Sequence, residues 1–314
     1  MTRRPILLLV NPVAGGKLGS GPDLADDAAR LEPEALASAL RERGLAVDLR
    51  VLAEADDVRA VSAAAAEHGQ DVVAAGGDGT VSLAASGLVG SEATLGILAL
   101  GSFNNVAHGY GVPRRLDAAL EVIVRGEVSH VDVGVARHGS GGSDRALADD
   151  GEDAFFFEAA GVGLDAAGFG AVQLTERHGW LRGAGALVRA LRQRRRAMRL
   201  LLDGRSVRTH APAVTICNGP YLGMGFALAA DANPADGLLD VVVFAGMSRW
   251  EVLRHFARVA RGSRRREPRL QIVRAAEVQV HAARGVLPAH ADGRSIGVTP
   301  ATFGVRPGAL RLFR

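Results

Sequence analysis

The chain has 314 residues, 48% of them apolar and 4% aromatic, with a formal net charge of +3. The length is natural for two domains, and the apolar share is enough for buried cores, which argues against a disordered chain. One cysteine, Cys217, excludes an intramolecular disulfide and a thiolate zinc cluster, and the scarce aromatics supply no stacking platform for a nucleic acid.

Ile6 to Val10 is a continuous apolar run and predicts a buried first strand. It is shorter than a signal-peptide core, and no apolar span of about eighteen residues occurs, so the protein is expected to be cytoplasmic. Asn11-Pro12-Val13-Ala14-Gly15-Gly16-Lys17 follows. Proline removes one N–H and the glycines free the backbone to curl, which fits a phosphate-side loop or a plain connection from strand to helix. Residues 18–30, rich in Gly and Asp, predict a loop or a frayed helix start. Pro33 to Arg43 carries Leu36, Ala39 and Leu40 at helical spacing and is closed by Gly44. Val47 to Leu52 predicts a second strand and Val58 to His68 an Ala-rich helix.

The informative stretch is Asp71 to Leu88. The apolar run Val72 to Ala75 predicts a buried parallel strand, Gly76-Gly77-Asp78-Gly79-Thr80 breaks it, and Val81, Ala84, Ala85 and Leu88 recur at helical spacing. Glycines between strand and helix let phosphate oxygens approach backbone N–H groups, although a tight turn without a ligand has the same spacing. The loop is neither GxxxxGK[ST] nor GxGxxG. A free carboxylate at Asp78 would repel a polyphosphate, so it is expected to act through Mg²⁺ or a hydrogen-bonded partner. Strand Leu95 to Leu100 leads into Gly101-Ser102-Phe103-Asn104-Asn105 and a helix, and Leu116 to Val124 predicts another helix. This alternation predicts right-handed βαβ units and a parallel sheet, with ligands at the strand C-terminal ends.

From His130 the pattern changes, which sets the domains at 1–129 and 130–314. Val131 to Ala136 alternates, residues 138–153 read as an exposed loop, and strand-like runs cover Phe155–Ala160, Leu200–Leu202, Ala213–Cys217, Leu238–Phe244, Ala276–Val280 and Leu310–Phe313. Helices are expected at Trp180–Arg196 and Arg249–Arg261. Many strands and few helices predict a mostly antiparallel domain of two packed sheets, whose exposed strand edge offers pairing for a homodimer. Two basic runs, Arg192, Arg194, Arg195, Arg196, Arg199 and Arg258, Arg261, Arg264, Arg265, Arg266, fit a solvated face or a surface for anionic lipid headgroups. In Asp231-Ala232-Asn233-Pro234-Ala235-Asp236-Gly237-Leu238 a carboxylate beside carbonyls suits Mg²⁺, and an ordinary Asp-Gly turn fits as well. Asp132 and Asn218, each beside a core strand, fit site residues or turn caps.

The order LLLVNPVAGG, GGDGT, LGILALGSFNNVA resembles the catalytic domain of the diacylglycerol kinase family, which includes bacterial lipid kinases and the sphingosine and ceramide kinases, and the similarity runs over nearly the whole chain. The resemblance implies an ATP-dependent, Mg²⁺-dependent kinase of diacylglycerol or a related lipid alcohol, working at the inner face of the membrane. It assigns ATP to Asn11, Pro12, Val13, Ala14, Gly15, Gly76, Gly77, Asp78, Gly79, Thr80 and Ser102. It also implies catalytic Asp78 and a structural Mg²⁺ on Asp236 with the carbonyls of Asn233 and Leu238, and it aligns Asp132 and Asn218 with family positions. The chain departs from the pattern where the family has G-T-x-N-D and D-G-E, carrying Asn105 and Arg294 in place of the acids. Arginine cannot accept a proton at ordinary pH, which leaves Asp292 as the acid of that turn. Smaller departures stand at Val81-Ser82-Leu83 and Ala230. They leave two alternatives open: a pseudokinase that binds nucleotide or lipid, and a kinase of a soluble acceptor such as NAD.

Overall fold

The computed structural model describes residues 3–13, 32–138, 153–164, 196–223, 225–260 and 267–314. The chain divides into two units, one of residues 1–132 with Gly308–Arg314, the other Val133–Pro307. The last residues, which the sequence groups with the second domain, thus belong with the first unit.

In the first unit the elements are β1 (Ile6–Val10), α1 (Pro33–Arg41), β2 (Val47–Val51), α2 (Val58–Glu67), β3 (Asp71–Gly76), α3 (Asp78–Leu88), β4 (Thr94–Ala99), α4 (Asn105–Gly109), α5 (Leu116–Arg125) and the start of β5 (Val128–His138). The sheet runs β2-β1-β3-β4 with all pairings parallel. Every residue of β3 and β4 is buried, whereas edge strand β2 is mostly exposed. Such two-sided burial is why the inner strands read as continuous apolar runs. On one face Leu8, Val10, Val73, Ala75 and Leu98 pack with Leu36 and Leu40 of α1 and Leu120 and Ile123 of α5. Helices α2 and α3 approach closely at Gly87, where a Cβ would stand 2.3 Å from the carbonyl oxygen of Arg59. Local signals set the helix ends: Pro33 opens α1, Asp57 accepts the Ala60 N–H at 3.0 Å to cap α2, and Gly126 closes α5 at φ 71°.

The second unit takes over β5 at Val133 and continues with β6 (Ala154–Phe156), β7 (Ala159–Gly163), β8 (Arg196–Leu202), β9 (Arg205–Ala211), β10 (Ala213–Cys217), β11 (Tyr221–Leu222), β12 (Phe226–Ala227), β13 (Leu239–Phe244), α6 (Arg249–Ala260), β14 (Leu270–Ala275), β15 (Glu277–Ala282), β16 (Pro288–Ala291), β17 (Arg294–Val298) and β18 (Ala301–Phe313). One antiparallel sheet runs β14-β13-β10-β7-β16-β17; in the other, β15 pairs with both β8 and β18, and β9 lies at the edge. Val162, Val214, Ile216 and Val241 of the first sheet share a core with Met198, Leu200, Val278, Val280 and Phe303 of the second. The end of β18 returns to the first unit, where Arg311 and Leu312 pair in parallel with Thr94 and Leu95 of β4.

The expected strand Phe155–Ala160 is broken at Phe157-Glu158 into β6 and β7, and β15 begins at Glu277 rather than Ala276. Strand β9 escaped the sequence because its residues face solvent almost throughout and show no apolar alternation. The expected helix Trp180–Arg196 and the loop at 18–30 lie outside the described residues, except that Arg196 opens β8. Arg192, Arg194, Arg195, Arg261 and Arg264 to Arg266 also lie outside them.

Candidate functional site

Parallel pairing brings three distant sequence segments to one edge of the first unit. Val10 is in register with Ala75 and Gly76 with Ala99, so the chain leaves β1, β3 and β4 at neighbouring points. Backbone bonds continue past the strands, Asn11 N–H to Ala75 O at 3.0 Å and Leu100 N–H to Gly76 O at 2.9 Å. Side chains then tie the loops together. Asn11 donates from Nδ2 to Thr80 Oγ1 at 2.9 Å and accepts the Val13 N–H on Oδ1 at 3.1 Å. Gly77 and Gly101 meet backbone to backbone: a Cβ on Gly101 would lie 2.5 Å from the Gly77 Cα. Glycine at 101 is what allows that approach, while a Cβ on Gly77 would make a tight contact of 3.3 Å with the Gly101 Cα.

Asp78 completes the junction. Its Oδ1 accepts the Val106 N–H at 3.0 Å, so the first residue of α3 holds the first turn of α4. Burial raises its carboxyl above the usual range, opposed by the amides of Val106, Asn105 and Asn104 and by the charge of Arg114. The Asp78 carboxylate thus has a hydrogen-bonded partner in the first turn of α4. In α3 the Thr80 and Val81 N–H groups go to Gly77 O, both at 3.0 Å, leaving Asp78 and Gly79 without an intrahelical acceptor. Gly79 is exposed, and a Cβ there would meet nothing within 4 Å. Open amides at the positive end of a helix suit an anion.

Pro12, Val13, Gly76 and the exposed Ser102 lie on these same loops, and Asn105 is buried at the start of α4. Ala14 and Gly15 lie outside the described residues. Sequence reasoning passed over Asn104, which holds φ 53° and clamps Gly101, accepting its N–H at 2.9 Å and donating to its carbonyl at 2.7 Å. Asparagine tolerates left-handed backbone, so its place after a glycine turn was the available signal. Asp132 is a brace within this unit, accepting the Gly308 N–H at 2.8 Å, while its carbonyl receives the Tyr110 hydroxyl at 3.2 Å.

In the second unit Asp292 and Gly293 link β16 to β17, with φ 43° and 73° and Ala291 opposite Arg294. Positive φ at both central residues matches the tight hairpin turn that Asp-Gly favours. The Asp292 carboxylate crosses to the break between β6 and β7, where it accepts Phe157 N–H at 2.8 Å, Glu158 N–H at 3.0 Å and Ala159 N–H at 3.1 Å. Burial pushes its carboxyl up to about 6 against these amides and the nearby His290. Both oxygens are thus committed to holding a bend. Asn218 joins the same bend, donating its N–H to Glu158 O at 3.0 Å. Glu158, absent from the sequence candidates, accepts the Gly223 N–H at 3.2 Å, and no motif marked it. Arg294 is exposed at the start of β17.

Asp236 lies in a further Asp-Gly turn, accepting the Leu238 N–H on Oδ1 at 3.1 Å, with Gly237 at φ 75°. Its Oδ2 is 3.6 Å from Arg274, which also reaches Asp240 at 3.4 Å and the Asp231 carbonyl at 3.3 Å. The 3.6 Å separation is too long for a hydrogen bond, so Arg274 faces Asp236 Oδ2 as an ion-pair partner. Among the described residues no cluster of three or more His, Cys, Asp or Glu side chains suits a metal.

A parallel α/β unit with glycine loops at its strand ends, followed by an antiparallel two-sheet unit, is the architecture of a class of two-domain kinases. A diacylglycerol kinase from Bacillus anthracis str. Sterne shares this fold with a TM-score of 0.69 at 22% identity, covering 100% of this chain and 98% of that one. Yeast NADH kinase, solved with NADH, gives a TM-score of 0.51 at 11% identity over 99% of this chain and 83% of its own. Residues 5–136 match the diacylglycerol kinase catalytic domain, and residues 159–314 match the YegS C-terminal NAD kinase beta sandwich-like domain. A diacylglycerol kinase of Mycobacterium tuberculosis (strain ATCC 25618 / H37Rv) is 30% identical over 280 residues, 88% of this chain and 87% of its own. Lipid kinase YegS of Escherichia coli (strain K12) is 29% identical over 220 residues, 66% of this chain and 67% of its own. The chain belongs to the diacylglycerol kinase family.

Proposed function

We propose that the chain is a lipid kinase that transfers the γ-phosphate of ATP to a hydroxyl of diacylglycerol or a related lipid alcohol, with Mg²⁺, at the inner face of the membrane. The observation that carries this reading is the junction of three loops at the ends of β1, β3 and β4, tied by Asn11 to Thr80 and by Asp78 to Val106, with open space beside the exposed Gly79. Asn11, Pro12, Val13, Gly76 to Thr80 and Ser102 are assigned to ATP, and the neighbouring Ala14 and Gly15 extend that assignment. Asp78 serves as the group that keeps the second glycine loop against the first, so that both present their amides to the phosphates. Mg²⁺ supplies charge neutralisation for the phosphates when bound. Phosphoryl transfer has a loose transition state and depends chiefly on positioning and charge stabilisation, so fixed loops are its main requirement.

Asp292 is assigned to holding the β6–β7 bend, with Asn218 beside it, and Asp236 with the carbonyls of Asn233 and Leu238 to a structural Mg²⁺. A second reading, a pseudokinase, is favoured by one observation: the Asp292 carboxylate already receives three amides while Arg294 stands in place of the family's acid. General-base help is worth roughly 10²–10⁴ in rate, so the kinase reading expects slow rather than absent turnover. Incubation of the protein with labelled ATP, Mg²⁺ and a lipid extract, followed by identification of the labelled lipid, separates the two. A labelled lipid product supports the kinase. Nucleotide binding with no labelled product from any lipid alcohol supports the pseudokinase, and labelled NAD would move the acceptor to a soluble molecule.

A further inference from the structure

Trp250 is 61% exposed at the second position of α6, in a protein with only two tryptophans. Its place is not a frayed end. The Ser248 N–H donates to Glu251 Oε2 at 2.7 Å and the Glu251 N–H to Ser248 Oγ at 3.3 Å, a reciprocal cap that fixes the first turn of the helix. Val252 and His255 are buried, so α6 packs through that face. Trp250 and Arg254, four residues apart, share the opposite side, where Arg254 is exposed. The Arg249 guanidinium lies 5.8 Å from the Trp250 ring centroid.

The charges on this side are of one sign. Glu251 is bound by Arg269 at 2.7 Å and held at about 2 by the Ser248 amide and that arginine, so its negative charge is already matched. Glu267 is likewise matched, by Arg258 at 3.1 Å and Arg269 at 2.9 Å. Arg249 and Arg254 have no such acid among the described residues. An exposed indole flanked by arginines suits the boundary of a bilayer, where the ring sits at headgroup depth and the guanidinium groups meet anionic lipid.

We propose that the Trp250–Arg254 side of α6 docks on an anionic membrane surface, with Trp250 as the inserted anchor. The proposal rests on the lipid kinase reading, which requires an acceptor drawn from a membrane, and names the contact by which the chain reaches it. A second copy of the chain would not match this side, because two such surfaces would set arginine against arginine.

The test uses the full chain without nucleotide. A Trp180→Phe background leaves Trp250 as the sole tryptophan. Its emission is expected to shift to the blue on mixing with equimolar phosphatidylcholine–phosphatidylglycerol vesicles and to be quenched by brominated acyl chains, with no response to phosphatidylcholine alone. In co-sedimentation, Trp250→Ala is expected to weaken vesicle binding about tenfold or more, a loss in keeping with removal of a large aromatic contact. Arg254→Ala is expected to weaken it about fivefold, the equivalent of one charge near the surface. Melting temperature should not change, since neither side chain is buried. Unquenched Trp250, equal vesicle binding by Trp250→Ala, or a change in sedimentation coefficient with that variant in the absence of lipid would each overturn the proposal. Vesicle binding that survives where no lipid is phosphorylated would remove the kinase reading and leave the docking surface standing.

Discussion

Asp78-Gly79 in the first unit and Asp292-Gly293 in the second are the same dipeptide beside a strand, and burial raises the carboxyl of both. Each carboxylate also crosses to a second loop and accepts backbone amides there. What differs is the glycine side. Gly293, at φ 73°, turns a hairpin back on itself, whereas Gly79 sits in the first turn of a helix with open space above it. The first arrangement closes a bend, and the second leaves the first turn of a helix exposed at Gly79. An identical motif therefore closes a hairpin in one unit and opens a helix in the other, and only the second setting suits the proposed anion.

The largest effect that would sharpen this contrast is expected from Gly101→Ala. A Cβ at 2.5 Å from the Gly77 backbone forces the two glycine loops apart, and ATP affinity should fall by about two orders of magnitude or more, since misplacement on the ångström scale costs about that much. Calorimetry checks it, and unchanged affinity would break the claim that the loops work as one unit.

Next come paired asparagine variants. Asp78→Asn keeps one acceptor for the α4 amides, so the fold should survive while lipid phosphorylation drops about 10²-fold. Asp292→Asn should instead lower stability at all pH values, with an added pH dependence. The Asp292 carboxyl is raised in the folded state to about 6, so its contribution is complete below the unfolded value and lost as pH rises through about 6. The stability advantage of the wild type over Asp292→Asn is expected to shrink between acid and neutral pH. Denaturant midpoints across that range measure it, and a difference that grows with pH would contradict the burial argument.

The parallel sheet was readable because two-sided burial writes itself as apolar runs, and each glycine turn stands where a run ends. Which loops meet was readable only in outline, since adjacency of Asn11, Thr80 and Gly101 depends on strand order β1-β3-β4. The break at Phe157-Glu158 was illegible: its cause, the Asp292 carboxylate, lies more than a hundred residues further along the chain. Strands β9, β14, β16 and β17 carry too many exposed or polar residues, or are too short, to show a period.

A smaller effect separates the Asp236-Gly237 turn from Asp78-Gly79 and Asp292-Gly293. If Asp236 holds Mg²⁺, the ion without nucleotide should raise the melting temperature of the wild type by a few degrees, equivalent to about 1–2 kcal/mol, and leave Asp236→Asn unmoved. No response in the wild type would assign the turn to Arg274 alone.

The most direct measurement is calorimetry of Mg²⁺-ATP on the wild type and on Gly79→Asp. A side chain at Gly79 meets nothing within 4 Å, and an acid in the first turn of α3 favours the helix, so this variant should fold at least as well as the wild type. Its carboxylate would occupy the space assigned to the phosphates. The account predicts ATP binding by the wild type and its loss in Gly79→Asp at unchanged or higher melting temperature; equal binding by both, or none by the wild type, would contradict it.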